Sequence, residues 1–130
     1  MIVIDASALA KIILQEEGWE AVPLTSKTAT LDYALVEALN AIWKAVVQGR
    51  LNEEDARERT EALKYLTGGL LFFEARNYFE HGLEIALKEK ITVYDALYIA
   101  FAEELKAELY TSDVKQFEAA QKHVRTKLIP

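Results

Sequence analysis

The chain has 130 residues, 52% of them hydrophobic, with no cysteine, and its 21 acidic residues against 15 basic ones give a formal net charge of −6. That length favours one domain over residues 1–130, and the apolar fraction fills a core and excludes a disordered chain. Without cysteine there is neither a disulfide framework nor a cysteine-ligated zinc site.

The chain opens on Ile2-Val3-Ile4, a β-branched run that reads as a buried strand ended by Asp5. Leu9, Ile12 and Ile13 fall on one face of a helix over 7–15. Residues 18–22 read as a short helical turn closed by Pro23, and 28–31 as a very short strand. A long helix follows over 32–48, with Gly49 as its C-cap residue. Asn52 caps the next helix, whose first turn holds Glu53, Glu54 and Asp55; it runs to about 66 and stops at Gly68-Gly69. Then come a strand over 70–73, a helix over 77–89, a strongly apolar helix over 93–106, a strand over 108–111, a helix over 114–123 and a last strand over 126–129.

Strands therefore alternate with helices, which predicts an α/β fold: a mainly parallel sheet with helices on both faces. The first residues lack the basic and long apolar regions of a leader, and no apolar run reaches membrane-span length. The expectation is a soluble, cytoplasmic protein. The acidic balance argues mildly against nucleic-acid binding, which draws on Lys and Arg. That objection weakens where acids bind divalent metal.

In parallel sheets ligands bind beyond the carboxyl ends of the strands. Asp5 and Asp113 both follow predicted strands there, and each also suits an N-cap. Thr92 and Asp95 suit a capping box, yet Asp95 shares its face with Tyr98, Ile99 and Ala102 and meets no base before Lys106. An acid so placed needs a partner from elsewhere, and a cation would serve. Glu37, Asn40, Lys44 and Gln48 form a narrow polar stripe, which reads as solvated or as opening into a cleft. Four acids on separate elements could hold magnesium or manganese, which favour oxygen ligands. His81 and His123 read as surface or helix-end residues.

Four segments resemble the motifs of PIN-domain proteins, in that family's order. They are Val3-Ile4-Asp5-Ala6-Ser7-Ala8-Leu9, the run from Leu35-Val36-Glu37 to Ala41-Ile42-Trp43, Thr92-Val93-Tyr94-Asp95-Ala96-Leu97-Tyr98, and Leu109-Tyr110-Thr111-Ser112-Asp113 followed by Phe117. The third is the most specific, and the resemblance covers nearly the whole chain. It is similar in length to the VapC toxins of toxin–antitoxin pairs. The resemblance implies a PIN-like three-layer α/β/α sandwich and a metal-dependent endoribonuclease. Asp5, Glu37, Asp95 and Asp113 would be the catalytic acids and hold Mg²⁺ or Mn²⁺, with Asp113 acting directly or through water. Ser7 and Thr111 would orient the site. It further implies an RNA substrate, a homodimer and a VapB-type antitoxin whose tail blocks the cleft. The alternative is a non-catalytic PIN module that binds RNA or protein. A phospho-acceptor receiver domain shares only the fold class and some acids, and Asp5 lacks the adjacent acid such a domain needs.

Overall fold

The computed structural model describes residues 1–66 and 68–130. The elements run β1 (Ile2–Ile4), α1 (Ala6–Leu14), β2 (Thr28–Leu31), α2 (Tyr33–Val47), α3 (Glu53–Leu66), β3 (Leu71–Phe73), α4 (Phe79–Glu89), α5 (Val93–Leu105), β4 (Glu108–Thr111), α6 (Val114–Ala120) and β5 (Thr126–Leu128). Short 3₁₀ turns occupy Trp19–Ala21 and Ala75–Tyr78.

The strands form one sheet in the order β3-β2-β1-β4-β5, and every pair among the described residues is parallel. The sheet is thus wholly rather than mainly parallel. Ile2 of the central β1 stands opposite Thr28 on one side and Glu108 on the other. Each parallel neighbour is reached by a crossover. Right-handed crossovers put α1, α2 and α3, on the outward path to β3, on one face, and α4, α5 and α6, on the return path, on the other. The packing agrees: α1 meets α2 and α3, and α4 meets α5. The path reverses between β1 and β4, and beyond the carboxyl ends of those two strands lies the crevice where such sheets bind ligands.

Val3, Ile4, Ala29 and Leu109 are fully buried, as a sheet covered on both faces requires. Helix α5 is enclosed all round: every residue from 96 to 102 is buried. The Phe101 ring lies 5.0 Å from those of Phe73 and Tyr78, joining α5 to β3 and the turn after it. Gly82 lets α4 close on α5, since a Cβ there would stand 2.8 Å from Leu97 Cδ2.

Several boundaries differ from the periodicity. Helix α4 starts at Phe79 because residues 75–78 take the tighter turn. Helix α6 stops at Ala120, where the N–H groups of His123 and Val124 both turn back to the Ala120 carbonyl at 2.9 Å. His123 is no plain surface residue: its Nε2 lies 2.7 Å from Glu89 and its Nδ1 3.4 Å from Glu103, so it ties the approach to β5 onto α4 and α5. Helix α2 buries Ala34, Ala38, Ile42 and Ala45 but exposes Val36, Leu39, Trp43 and Val47, so it is open well beyond its polar stripe. No described helix is long and apolar enough to cross a membrane.

Candidate active site

The central strand delivers Asp5 into the crevice. Its backbone is extended and its side chain caps α1, so the N-cap reading of this residue holds. Asp5 is only 3% exposed. Oδ1 accepts from the Ser7 hydroxyl at 2.6 Å and from the Ala8 N–H at 2.9 Å, while Oδ2 accepts from the Thr111 hydroxyl at 2.5 Å. The Ser7 oxygen in turn accepts from the Ser112 N–H, and the Thr111 oxygen from the Asp113 N–H. Ser7 and Thr111 thus fasten the end of β1 to the end of β4 around one carboxylate. From β2, Thr30 donates to the Ile4 carbonyl at 2.7 Å and steadies the strand just before Asp5.

Three donors favour the charged form of Asp5, yet burial outweighs them and, with the Asp95 charge, pushes its pKa up to about 6. Glu37 stands in the second turn of α2, half-buried, and its Oε1 has no hydrogen-bond partner among the described residues. Burial first, then the charges of Asp5 and Asp95, push Glu37 up to about 7.

Asp95 lies in the first turn of α5, where its N–H donates to the Thr92 hydroxyl at 3.3 Å. Burial and then the Asp113 charge raise its pKa, against the opposing pull of Thr92 and Lys115. Asp113 caps α6, its Oδ1 accepting from the N–H groups of Lys115 and Gln116 at 2.8 and 3.3 Å. The structure therefore gathers all four acids at the carboxyl edge of the sheet. Asp5, Glu37 and Asp95 repel one another, and Asp113 joins through Asp95.

Sequence reasoning overlooked three neighbours. Gln116 is fully buried and donates from Nε2 to the Asp95 carbonyl at 2.9 Å, locking the start of α6 to the start of α5. Lys115 brings a positive charge to Asp95. No spacing rule marks either residue. Tyr98 did carry a signal, its i+3 position from Asp95. Its hydroxyl is buried without a hydrogen-bond partner among the described residues, and burial together with the charges of Glu37 and Asp5 opposes its ionisation.

Among the described residues no three acidic or histidine side chains converge closely enough to enclose an ion by themselves. Asp5 spends both oxygens on hydrogen bonds, and Asp113 spends one on its helix. What remains is the unpartnered Glu37 oxygen and the Asp95 carboxylate, beside the uncompensated Asp5 charge. That donor set fits magnesium or manganese, which take one or two carboxylates, keep several waters and bind substrate phosphate. A cation would offset the burial and the repulsion that hold these acids above their ordinary pKa range.

The family model described as "PIN domain" matches residues 2–122. The chain is 35% identical over 116 residues to the protein named Ribonuclease VapC3 of Pyrobaculum aerophilum, covering 86% of this chain and 88% of that one. Among solved structures it resembles PAE2754 from Pyrobaculum aerophilum, with a TM-score of 0.72 and 26% identity over 96% of this chain and 87% of that one. It shares its fold with a chain of a toxin–antitoxin complex from Klebsiella pneumoniae, with a TM-score of 0.59 and 16% identity over 90% of each. The all-parallel sheet, the ordered motifs and these likenesses agree, and the chain belongs to the PIN-domain family as a homologue of the VapC proteins.

Proposed function

We propose that this protein is a metal-dependent endoribonuclease, the toxin of a VapBC-type pair, that hydrolyses RNA to 5′-phosphate and 3′-hydroxyl ends. The observation that carries the reading is the crowding of Asp5, Glu37 and Asp95 at the switch point of the sheet, where burial raises all three and the charge of at least one neighbouring acid adds to each. Acids so placed are costly to keep unless a cation meets them.

In this reading Glu37 and Asp95 hold Mg²⁺ or Mn²⁺ directly, Asp5 adds its charge and a lone pair, and Asp113 contributes through water. When bound, the ion polarises a phosphoryl oxygen and makes water a competent nucleophile near neutral pH. Ser7 and Thr111 fix the orientation of the Asp5 carboxylate, and the Asp113 and Gln116 contacts fix the first turn of α5 and hence Asp95. Lys115 offers charge to the substrate phosphate. No buried Ser–His or Cys nucleophile is required.

The same reading makes residues 1–130 one PIN domain working in the cytoplasm, paired with a second copy and with a VapB-type antitoxin. Support comes from the name of the similar VapC3 and from the toxin–antitoxin complex that shares the fold. Two apolar faces suit such partners: Val36, Leu39, Trp43 and Val47 on α2, and Phe79, Leu83 and Leu87 on α4.

The test incubates partner-free protein with a mixed RNA pool in Mg²⁺, Mn²⁺ or EDTA. Wild type is expected to cut with either metal and not in EDTA, and a folded Asp95→Asn variant to lose at least about 100-fold in rate. Cleavage in EDTA, or by Asp95→Asn at the wild-type rate, refutes the mechanism. RNA bound but left whole under both metals favours the non-catalytic module.

A further inference from the structure

We infer that the groove beside the acid cleft is a nucleobase subsite, in which Tyr33 and Tyr94 stack a base of single-stranded RNA next to the scissile phosphate. The inference rests on the ribonuclease reading and adds to it a means of choosing the substrate.

The two rings come from the first turns of α2 and α5 and stack with centroids 5.7 Å apart and planes 14° from parallel. Both stand out in water, Tyr33 at 40% and Tyr94 at 57% exposure. An exposed aromatic pair offers apolar faces that a third flat ring can cover. The pair is also a shared wall. On one side lies a cavity of about 540 Å³ lined by Glu37, Asn40, Thr92 and Asp95. On the other lies a groove of about 610 Å³ floored by Phe79, Val93 and Leu97, with Arg76 at its rim. A nucleotide whose phosphate meets a cation held by Glu37 and Asp95 would carry its base one sugar away, toward the tyrosines that line the same cavity.

The chemistry favours an unpaired strand. Stacking on aromatic rings is open to a base that has left its helix, and duplex RNA keeps its bases out of reach. Arg76, 76% exposed, is paired with Glu74 at 2.8 Å in a groove that Asp32 also lines, so a following phosphate would compete with Glu74 for it. An apolar protein side chain could fill the floor, but the floor alone gives no use to two stacked rings beside a cluster of acids suited to a cation.

The test measures anisotropy of a short labelled single-stranded RNA, with Ca²⁺ in place of Mg²⁺ to keep the strand whole. Tyr94→Leu and Tyr33→Leu should each weaken binding about 5- to 150-fold, the worth of one base–aromatic stack. Tyr94→Phe should keep most of the affinity. Tyr65→Leu, 82% exposed and outside the groove, is the control and should bind like wild type. Thermal melting confirms that each variant folds. Unchanged RNA affinity in a folded Tyr94→Leu overturns the subsite while leaving the nuclease reading standing. So does a Tyr94→Leu that keeps RNA but loses a co-purifying protein, which would make the groove a protein-docking surface. Wild type that neither binds nor cuts RNA overturns both.

Discussion

Glu37 ionises with difficulty because its carboxylate leaves water on entering the cleft and then meets the charges of Asp5 and Asp95. A folded-state pKa near 7, above the unfolded value of 4.5, gives stability that is complete below about pH 4.5 and lost as pH rises through 7. In EDTA, Glu37→Gln should therefore stabilise the protein at pH 8 by on the order of 1 kcal/mol, allowing for partial solvent screening, and leave it unchanged at pH 4. Thermal melts at the two pH values check this, and equal stability at pH 8 would show that Glu37 bears no electrostatic strain. Thr111 acts in the opposite sense, since its hydroxyl favours the charged form of Asp5. Thr111→Val should raise the Asp5 pKa, move the acid limb of the cleavage profile to higher pH and slow cleavage about 10- to 100-fold at pH 7. A slowed variant with an unmoved acid limb would assign Thr111 a purely structural part. Glu37 read equally as part of a solvated stripe and was singled out by the family resemblance, but Asp5, Asp95 and Asp113 were legible as candidates because each follows a strand or breaks an apolar helix face. Their supports were not. Gln116 and Lys115 act through contacts that only the folded chain creates, and nothing in their spacing distinguishes them from solvated side chains.

Elements were easier to read than their ends. Local chemistry dictates the starts of α1, α3, α5 and α6: Asp5, Asn52, Thr92 and Asp113 each accept from a backbone N–H of the first turn. At three of those four starts the cap and the acid cluster share residues, so the two readings of Asp5, Asp95 and Asp113 were never exclusive. The ends of α4 and α6 depend instead on tertiary contacts, such as the packing of Tyr78 on Phe101 and the pairing of His123 with Glu89, and periodicity cannot see these. Nor does it reveal how closely α4 approaches α5. A Cβ added at Gly82 would stand 2.8 Å from Leu97 Cδ2 and 3.3 Å from Leu97 Cγ, so the buried Leu97 side chain would have to shift. Gly82→Val should cost about 1–3 kcal/mol by overpacking, more than the helix gains from losing a glycine. Urea unfolding measures it. An unchanged midpoint would mean that α4 can slide on α5, and with it the wall that holds Phe79 against the tyrosine groove.

At the scale of the whole molecule, the reversal of direction between β1 and β4 puts four of the 21 acidic residues at one edge of a chain whose net charge, those four included, is −6. On the ribonuclease reading such a protein would meet RNA against its net field, so binding would have to depend on a few local cations and the metal rather than on a basic surface. Candidate cations are Lys115 beside Asp95, Arg76 in the lining of the groove and Lys44, exposed on the same helix as Glu37. Three phosphate contacts to a single strand give a slope of about −2 in a plot of log binding constant against log salt. Titrations in KCl at fixed Ca²⁺ should return that value, and Arg76→Gln should flatten it by roughly 0.7. A slope steeper than about −4 requires roughly six phosphate contacts. The cleft cannot supply that many, so such a result would move the RNA to another face and sever the link between the acid cluster and the substrate.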